Sequence, residues 1–285
     1  MSAPAVVQAN DEDLSYFAKR RCKDEHERAL WFHLAEMAPH GAWVAKDVAT
    51  PIGITIPHAM EDEWFLSELF VEPGFRGQGV ARELLSAAAG PPGEATRSGM
   101  LDPKETGGLA FFAERGIAIH TPVVSISGEI PRAEALARMA SGEHRFRTEK
   151  LAMEDHRTAL SALDREVRGC ARLLDHQYFL ENAHGVAFYL RDEFVAYAYV
   201  WPSGRIGPIG VLSATYAVQV FAFALAALKR TYEASWCTLL IPGTNVRAMR
   251  AAMRANLKID EIHLFASDGS AGDLSRYIGL SRLLF

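Results

Sequence analysis

The segment "LFVEPGFRGQGVARELL" (Leu69–Leu85) contains residue types whose spacing suits the binding of an anion. Gly77 and Gly79 lie between a run of strand-forming residues and an amphipathic helical pattern, and Arg76 precedes them. Glycine lets backbone N–H groups approach a bulky ligand, and the N–H groups that open a helix attract a phosphate. The segment therefore predicts a phosphate or pyrophosphate site at the start of this helix. The alternative is a glycine-rich turn without a binding role.

Two other phosphate-binding signatures fit this segment less well. The Gly-Lys-Ser/Thr ending of a nucleoside-triphosphate loop is absent, so no side chain is placed to reach a terminal phosphate or to hold a metal ion. The dinucleotide-binding fingerprint follows the first strand of its βαβ unit, whereas several strand patterns precede Gly77. The segment is therefore not a nucleoside-triphosphate loop and matches a dinucleotide-binding fingerprint poorly, and a phosphate- or nucleotide-binding module is the third alternative.

The composition is that of a globular enzyme. The chain has 285 residues, a length that favours two domains, and 49% of them are hydrophobic. The formal net charge of -5 gives no electrostatic reason to expect nucleic acid or an anionic membrane, and it favours a small cationic partner. The three cysteines, Cys22, Cys170 and Cys237, are widely separated and indicate neither a disulfide framework nor a metal site. With no signal-peptide pattern at the N-terminus, these features predict a cytoplasmic protein.

The order of the predicted elements indicates a mixed α/β fold with two similar halves. In the first half, strand patterns and two helical stretches precede Gly77, and a helix, a strand, a second helix and a strand follow it. The second half repeats this order from about Arg145. The stretch Gly128–His144 contains proline, glycine and a short amphipathic pattern. We therefore predict a first domain at residues 1–128, a linker at 129–144 and a second domain at 145–285.

One uncharged stretch, Ile206–Leu228, is long enough to span a bilayer. Glycine and proline residues divide it, and Gln219 interrupts its apolar part. A buried strand followed by a helix from about Ala214 is the preferred interpretation, and a membrane span is the alternative.

The glycine-rich segment resembles the acetyl-coenzyme-A motif of the GNAT superfamily of N-acyltransferases. The motif has the form Arg/Gln-x-x-Gly-x-Gly/Ala after a strand, and Arg76, Gly79 and Ala81 stand at its key positions. The resemblance implies that backbone amides of residues 77–81 hold the pyrophosphate of acetyl-CoA and that the pantetheine arm lies along a splayed strand at residues 69–71. The residues it assigns to acetyl-CoA are Leu69, Phe70, Val71, Arg76, Gly77, Gln78, Gly79, Val80, Ala81 and Phe112.

Glu68 lies on the strand that precedes this motif. Attack of an amine on a thioester needs a group that takes up a proton, and many GNAT members carry a carboxylate on this strand that does so directly or through water. The resemblance thus implies that Glu68 is the catalytic residue, and a solvated strand glutamate is the alternative. The acidic residues Glu61, Asp62 and Glu63 either attract a cationic acceptor or form a solvated turn, of which the turn is favoured.

Phe112 takes the place of a tyrosine that protonates the leaving thiolate in the family. In the matching run "LAFFAERGI", Phe112 lies four residues before Gly116 and has no hydroxyl group. Water or another side chain then serves as the acid, or the thiolate leaves unassisted, or catalysis is weak. His120 lies nearby in the sequence and is either a site group or a structural histidine.

The second half resembles a degenerate GNAT domain. No glycine motif follows its strand "RIGPIGVLS", whereas Asn245 and Ala248 fit the family's Asn-x-x-Ala helix and Asn256 replaces the closing glycine. Asparagine tolerates the left-handed conformation that such a position requires.

Two other groups of polar and aromatic residues stand out in the second half. Tyr197, Tyr199 and Trp201 alternate on one strand face, which indicates core packing, with an acceptor pocket between the halves as the alternative. Residues at helical spacing, Asp164, Arg168 and Arg172, predict ion pairs on the surface or between elements.

The sequence therefore predicts a mixed α/β protein of two tandem GNAT-like domains, each with a mostly antiparallel sheet, a splayed central strand pair and flanking helices. The expected activity is that of an acyltransferase, which transfers the acetyl group of acetyl-CoA to a primary amine of a small molecule or peptide. Neither a metal, nucleic acid nor a membrane is expected as a partner, and a homodimer is left open. The alternative is an acyl-CoA-binding regulatory or structural protein with little or no turnover.

Overall fold

The chain forms two compact units, at residues Met1–Met100 and Leu101–Phe285. The structure is a computed structural model, and it describes residues 4–38, 40–88 and 95–285. Within these ranges no helix combines the length and the apolar character needed to cross a membrane. The uncharged stretch at 206–228 forms a buried strand and part of a helix, as preferred from the sequence.

The first unit is built on one sheet with helices packed against it. Its elements are β1 (Ala5–Gln8), α1 (Asp11–Arg21), α2 (Glu25–Met37), β2 (Trp43–Asp47), β3 (Thr50–Met60), β4 (Glu63–Val71), α3 (Val80–Ala88) and β5 (Thr96–Leu101). The strand order is β1-β2-β3-β4-β5, with antiparallel pairing except between β4 and β5. The helical patterns that the sequence predicts from about Asp11 to Met37 are confirmed, and they form α1 and α2.

Local sequence signals explain where these helices begin. The Asn10 side chain accepts a hydrogen bond from the Asp13 amide and Asp13 returns one to Asn10, which forms a capping box at the start of α1. Asp24 caps α2 in a similar way through the Glu27 amide. Apolar faces then anchor both helices, since Phe17 of α1 and Trp31 of α2 are fully buried.

Strands β4 and β5 form a parallel pair that separates part of the way along β4. Their register runs from Glu63 opposite Thr96 to Leu66 opposite Gly99, and β4 continues to Val71 beyond that point. On its other side β4 stays paired with β3, with a register shift that leaves Ser67 as an extra residue. The predicted splayed strand pair is therefore present in the first unit, and Glu68 lies just past the point of separation.

The second unit contains the remaining elements. They are α4 (Thr106–Glu114), β6 (Ala118–Glu129), α5 (Ala133–Ala140), β7 (Phe146–Lys150), α6 (Met153–Val167), α7 (Leu173–Asn182), β8 (His184–Leu190), β9 (Glu193–Val200), β10 (Ile206–Val211), α8 (Ala217–Tyr232), β11 (Trp236–Pro242), α9 (Val246–Arg254), β12 (Lys258–Ser267) and β13 (Tyr277–Ile278). Two antiparallel arrangements result, in the orders β13-β10-β9-β8-β7 and β12-β6-β11. With the first unit, they confirm the predicted fold class of mostly antiparallel sheets flanked by helices.

The compact units do not divide at the linker expected from the sequence. Strand β6, which the sequence places in the first domain, lies between β11 and β12 and pairs with both along most of its length. The expected linker contains α5, whose Leu136 is buried in the same apolar cluster as Leu225 and Leu228 of α8. These contacts explain why residues 101–128 belong to the second compact unit. The domain boundaries at 1–128 and 145–285 concern the duplication of the domain and stay a prediction.

Candidate functional site

The loop between β4 and α3 has the backbone conformation that the glycine pattern predicts. Gly77 and Gly79 have φ angles of 76° and 85°, in the left-handed region that favours glycine. A Cβ atom added at either position would meet nothing within 4 Å, so the backbone faces open space there. Close approach of a ligand to this backbone is therefore sterically allowed.

The amide groups of residues 77–81 lie at the start of α3, before its first helical hydrogen bonds. The first helical hydrogen bonds of α3 run from the Arg82 and Glu83 amides to the Gly79 carbonyl, at 2.9 and 3.1 Å. In the ranges that the structure describes, no backbone acceptor takes the amides of residues 77–81. These donors and the positive end of the α3 dipole form an arrangement suited to a phosphate or pyrophosphate.

Two side chains of the loop bond back to its own start. Arg76 Nε donates to the Val71 carbonyl at 3.1 Å, and Gln78 Nε2 donates to the Gly74 carbonyl at 3.0 Å. Both side chains therefore stabilise the loop. For Arg76 and Gln78 the structure thus adds a role in shaping the loop, and their contact with a coenzyme stays a prediction.

The strand that leads into the loop is partly accessible. Leu69 and Phe70 are half-buried, whereas Val71 is buried and packs with Val80 and Leu84 of α3. Beyond Leu66, no described strand pairs with the edge of β4 that faces β5. This edge is therefore able to accept an extended ligand through backbone hydrogen bonds, as a pantetheine arm would require.

Glu68 is not a solvated strand residue. Its side chain is 4% exposed, and its Oε1 atom lies 3.2 Å from Nη2 of Arg21 at the end of α1. Its own carbonyl accepts a hydrogen bond from Thr55 Oγ1 of β3 at 3.1 Å. The structure thus excludes the solvated alternative, and it adds an arginine that the sequence motif does not indicate.

The acidic residues before β4 are divided between two environments. Glu61 and Asp62 are exposed in the turn between β3 and β4, which agrees with the favoured interpretation. Glu63 is buried, and its Oε1 atom accepts a hydrogen bond from Ser98 Oγ of β5. The expectation of a solvated turn is therefore wrong for Glu63, because pairing of β4 with β5 brings Ser98 next to it.

Phe112 and His120 both belong to the second unit. Phe112 lies on α4 with 3% of its surface exposed, and its ring packs edge-on against Phe111 at a centroid distance of 6.3 Å. The exposed residue His120 lies on β6, and its Nε2 atom is 3.2 Å from the Ser267 carbonyl of β12. This cross-strand hydrogen bond favours the structural interpretation of His120.

A buried polar network occupies the second unit. Asp164 of α6 lies at its centre, with Oδ2 3.2 Å from Arg172 Nε and 2.9 Å from His176 Nε2 of α7. The hydroxyl of Tyr197 donates to Asp164 Oδ1, and the Tyr199 hydroxyl lies 2.8 Å from His176 Nδ1. Of the two kinds of ion pair expected from the sequence, Asp164 and Arg172 form the pair between elements, and both residues are buried.

Mutual charge stabilisation governs the ionisation of this network. Burial alone would raise the pKa of Asp164, but Arg172 and His176 outweigh burial and hold it well below its usual range. Burial opposes the charge of Arg172 as well, yet Asp164 holds its pKa well above the ordinary value. Burial, followed by the charge of Asp164, raises the pKa of Tyr197 and Tyr199. Both tyrosines therefore stay protonated, and Tyr197 donates a hydrogen bond to Asp164 Oδ1 inside the core.

The second half of the chain keeps one feature of the motif helix and lacks the loop. Asn245 caps α9 by accepting a hydrogen bond from the Ala248 amide at 3.0 Å, and Asn256 after the helix has a φ of 62°. The left-handed conformation expected at Asn256 is therefore confirmed. No glycine lies between β10 and the start of α8 at Ala217, so this junction does not reproduce the conformation of residues 77–79.

Comparison with protein families gives a match for the first part of the chain. Residues 6–92 match the family described as "Acetyltransferase (GNAT) family". This range contains β4, the loop and α3 together with Glu68. No curated protein matches the chain by sequence.

Several solved structures share the fold over nearly the whole chain. A putative acetyltransferase from Pyrococcus horikoshii has a TM-score of 0.75 at 14% identity, with coverage of 100% of this chain and 97% of that chain. A tandem GNAT protein from the clavulanic acid biosynthesis pathway has a TM-score of 0.60 at 15% identity, covering 94% and 98%. A GCN5-related N-acetyltransferase from Sphaerobacter thermophilus has a TM-score of 0.62 at 13% identity, covering 93% and 95%. At these identities the similarity establishes a common fold.

Proposed function

We propose that this chain, a tandem GNAT-fold protein with a GNAT domain at residues 6–92, is an N-acetyltransferase that uses acetyl-CoA and a primary amine. Family membership of this domain supports acyl transfer from an acyl-CoA in general. The use of acetyl-CoA and an amine is supported by the amides of residues 77–81, which have no backbone acceptor among the described residues, together with the buried carboxylate of Glu68 earlier on β4.

The residues present fit an acyl-CoA in two respects. Its pyrophosphate needs clustered donors without competing acceptors, and the amides of residues 77–81 meet that requirement. Its extended arm needs a strand edge with no neighbour, and β4 offers one beyond Leu66. Residues 69–71 and 76–81 are therefore the groups that we propose to hold it, and Phe112 remains a proposed contact from α4.

The chemistry that acetyl-CoA supplies when bound is an activated acetyl thioester. In our proposal the loop amides fix the position of the pyrophosphate. Glu68 takes up the proton that the acceptor nitrogen loses, directly or through water, so that the neutral amine attacks the thioester. A buried carboxylate suits this role because few water molecules compete for it. Phe112 contributes no proton, so the leaving thiolate either departs unassisted or receives its proton from water, which its moderate basicity permits.

An acyl-CoA-binding protein without turnover is the second candidate. The absence of a hydroxyl group at Phe112 favours it, since the family's usual proton donor is missing at that position. Glu68 instead favours catalysis, because a buried carboxylate has no evident role in binding the coenzyme.

Calorimetric titration of the full chain with acetyl-CoA, combined with a thiol-release assay over a panel of amines, tests the proposal. We expect binding at one site per chain and turnover with at least one primary amine. Gly79→Glu should abolish binding, because its side chain would occupy the open space and repel the pyrophosphate, and a left-handed φ is strained for glutamate.

The control for this experiment is Gly74→Ala. Gly74 lies in the same loop, faces open space and has no left-handed φ, so alanine should leave affinity unchanged. Binding that survives Gly79→Glu would refute the site. Binding without turnover for any amine would favour the second candidate, and a stoichiometry of two would show that the second half also binds.

We also propose that the acceptor is a small molecule or a peptide amine and that the protein acts in the cytoplasm. Support for the compartment comes from the cysteines, none of which forms a disulfide in the described ranges. Neither nucleic acid nor a membrane surface forms part of this proposal, and the oligomeric state is left to measurement.

A further inference from the structure

We infer that Arg21 is a positioning residue, which holds the Glu68 carboxylate through an ion pair in the orientation used for proton uptake. This inference rests on the proposed function, since it assigns a partner to the proposed base. Arg21 lies outside the glycine motif, 47 positions before Glu68 in the sequence.

The contact joins a half-exposed guanidinium to a buried carboxylate. Arg21 Nη2 lies 3.2 Å from Glu68 Oε1, with side-chain exposures of 32% and 4%. The Arg21 Cζ atom also lies 4.7 Å from the centre of the Phe70 ring, which follows Glu68 on β4. A guanidinium held by both an ion pair and an aromatic ring has a restricted direction. A residue at the end of α1 thus holds the Glu68 carboxylate.

Helix α1 is a rigid support for this arginine. Its start is fixed by the Asn10 capping box and by an ion pair from Lys46 Nζ to Asp13 Oδ1 at 2.8 Å. Its middle is fixed by Phe17, which is fully buried and contacts Phe70 edge-on at 5.9 Å. Because Arg21 is the last residue of α1, its cation is also favoured by the negative end of the helix dipole.

The charge balance explains why Arg21 matters to a base. Burial disfavours an ionised carboxyl group, and a cation in contact favours it. Arg20 does not substitute, since it extends to Glu72 at 3.8 Å and lies over the Tyr16 ring at 3.7 Å. Thr55 of β3 donates to the Glu68 backbone carbonyl and adds no charge.

The test compares Arg21→Met, Arg21→Lys and the matched control Arg20→Met in the full chain. We expect Arg21→Met to lower kcat by about 10- to 100-fold with the dissociation constant of acetyl-CoA unchanged. Arg21→Lys should restore a large part of the loss, because it keeps the positive charge. Arg20→Met removes a guanidinium from the same helical turn and should leave kcat within about twofold.

A second readout reports the contact between Arg21 and Glu68 without turnover. Difference infrared spectra between each protein and its Glu68→Gln counterpart isolate the band of the Glu68 carboxyl group. We expect this band at a different frequency in Arg21→Met than in the wild type, with Arg21→Lys closer to the wild type, because the frequency responds to an ion pair at the carboxyl group.

The outcomes separate this inference from the proposed function. An unchanged Glu68 band or an unchanged kcat in Arg21→Met would overturn the inference, as would an equal loss of kcat in Arg20→Met. A higher kcat in Arg21→Met would also overturn it, since Arg21 would then obstruct the base. If the wild type shows no turnover with any amine, the proposed function fails, and the infrared comparison still decides whether Arg21 holds the Glu68 carboxylate.

Discussion

Replacement of Asp164 by asparagine should destabilise the second unit severely. Asp164 accepts hydrogen bonds from Arg172 Nε and Nη2 at 3.2 and 3.4 Å, and it lies 2.9 Å from His176 Nε2. The side chains of all three residues are 0% exposed. Asparagine keeps the volume and removes the charge, so Arg172 would remain buried without its anionic partner.

The expected loss follows from breaking a buried ion pair on one side, which typically costs about 3–5 kcal/mol. In a domain of this size each kcal/mol lowers the melting temperature by about 2–4 °C, so the melting temperature should fall by roughly 6–20 °C. The matched control is Asp273→Asn, which removes a carboxylate 2.8 Å from Arg276 Nε at a far more exposed position. That change should cost less than about 1 kcal/mol.

Hydrogen exchange detected by mass spectrometry suits this test, because peptides from α6, α7 and β9 report on the second unit separately. Exchange of these peptides should accelerate strongly in Asp164→Asn and little in Asp273→Asn. Equal protection in wild type and Asp164→Asn would refute the reasoning, since the carboxylate would then not compensate the charge of Arg172.

The acid sensitivity of the second unit follows from the same group. The folded-state pKa of Asp164 lies below its ordinary value of about 3.9, so its contribution to stability is complete above that value. The contribution is lost as the pH falls from about 4 towards the lower folded-state pKa. Wild-type stability should therefore decline over this acidic range, and the decline should be shallower in Asp164→Asn.

Three further predictions concern single side chains. Glu68→Gln should lower turnover by about 10²–10⁴-fold and leave acetyl-CoA affinity unchanged in calorimetry; an equal loss of affinity would assign Glu68 to binding. Phe112→Tyr should raise the rate of thiol release a few fold if the added hydroxyl reaches the thioester, whereas no gain in an active enzyme would leave Phe112 as a core residue. Burial raises the pKa of Cys237 to about 12, so a thiol reagent should modify half-buried Cys22 first and Cys237 only after unfolding, as peptide mapping can establish.

The features that the sequence predicts correctly depend on residues close together in the chain. The left-handed glycines at Gly77 and Gly79 and the turn at Asn256 follow from backbone preferences of single residues. Most helices and strands follow from apolar periodicity over a few turns. The continuation of β4 past its parallel neighbour follows from the resemblance to GNAT proteins, because pairing register is not written in local propensity.

The features that only the tertiary structure decides join residues that are far apart. Arg21 and Glu68 are separated by 47 positions. Arg172 is separated by 105 positions from Tyr277, whose hydroxyl accepts a hydrogen bond from Arg172 Nη1. Helical spacing places Asp164 and Arg172 near each other, yet it gives no indication that the pair is buried. Strand β6 likewise joins β11 and β12 through pairings that no local pattern specifies. Local preferences act over three or four residues, whereas burial and ion pairing depend on which surfaces the packed elements bring into contact.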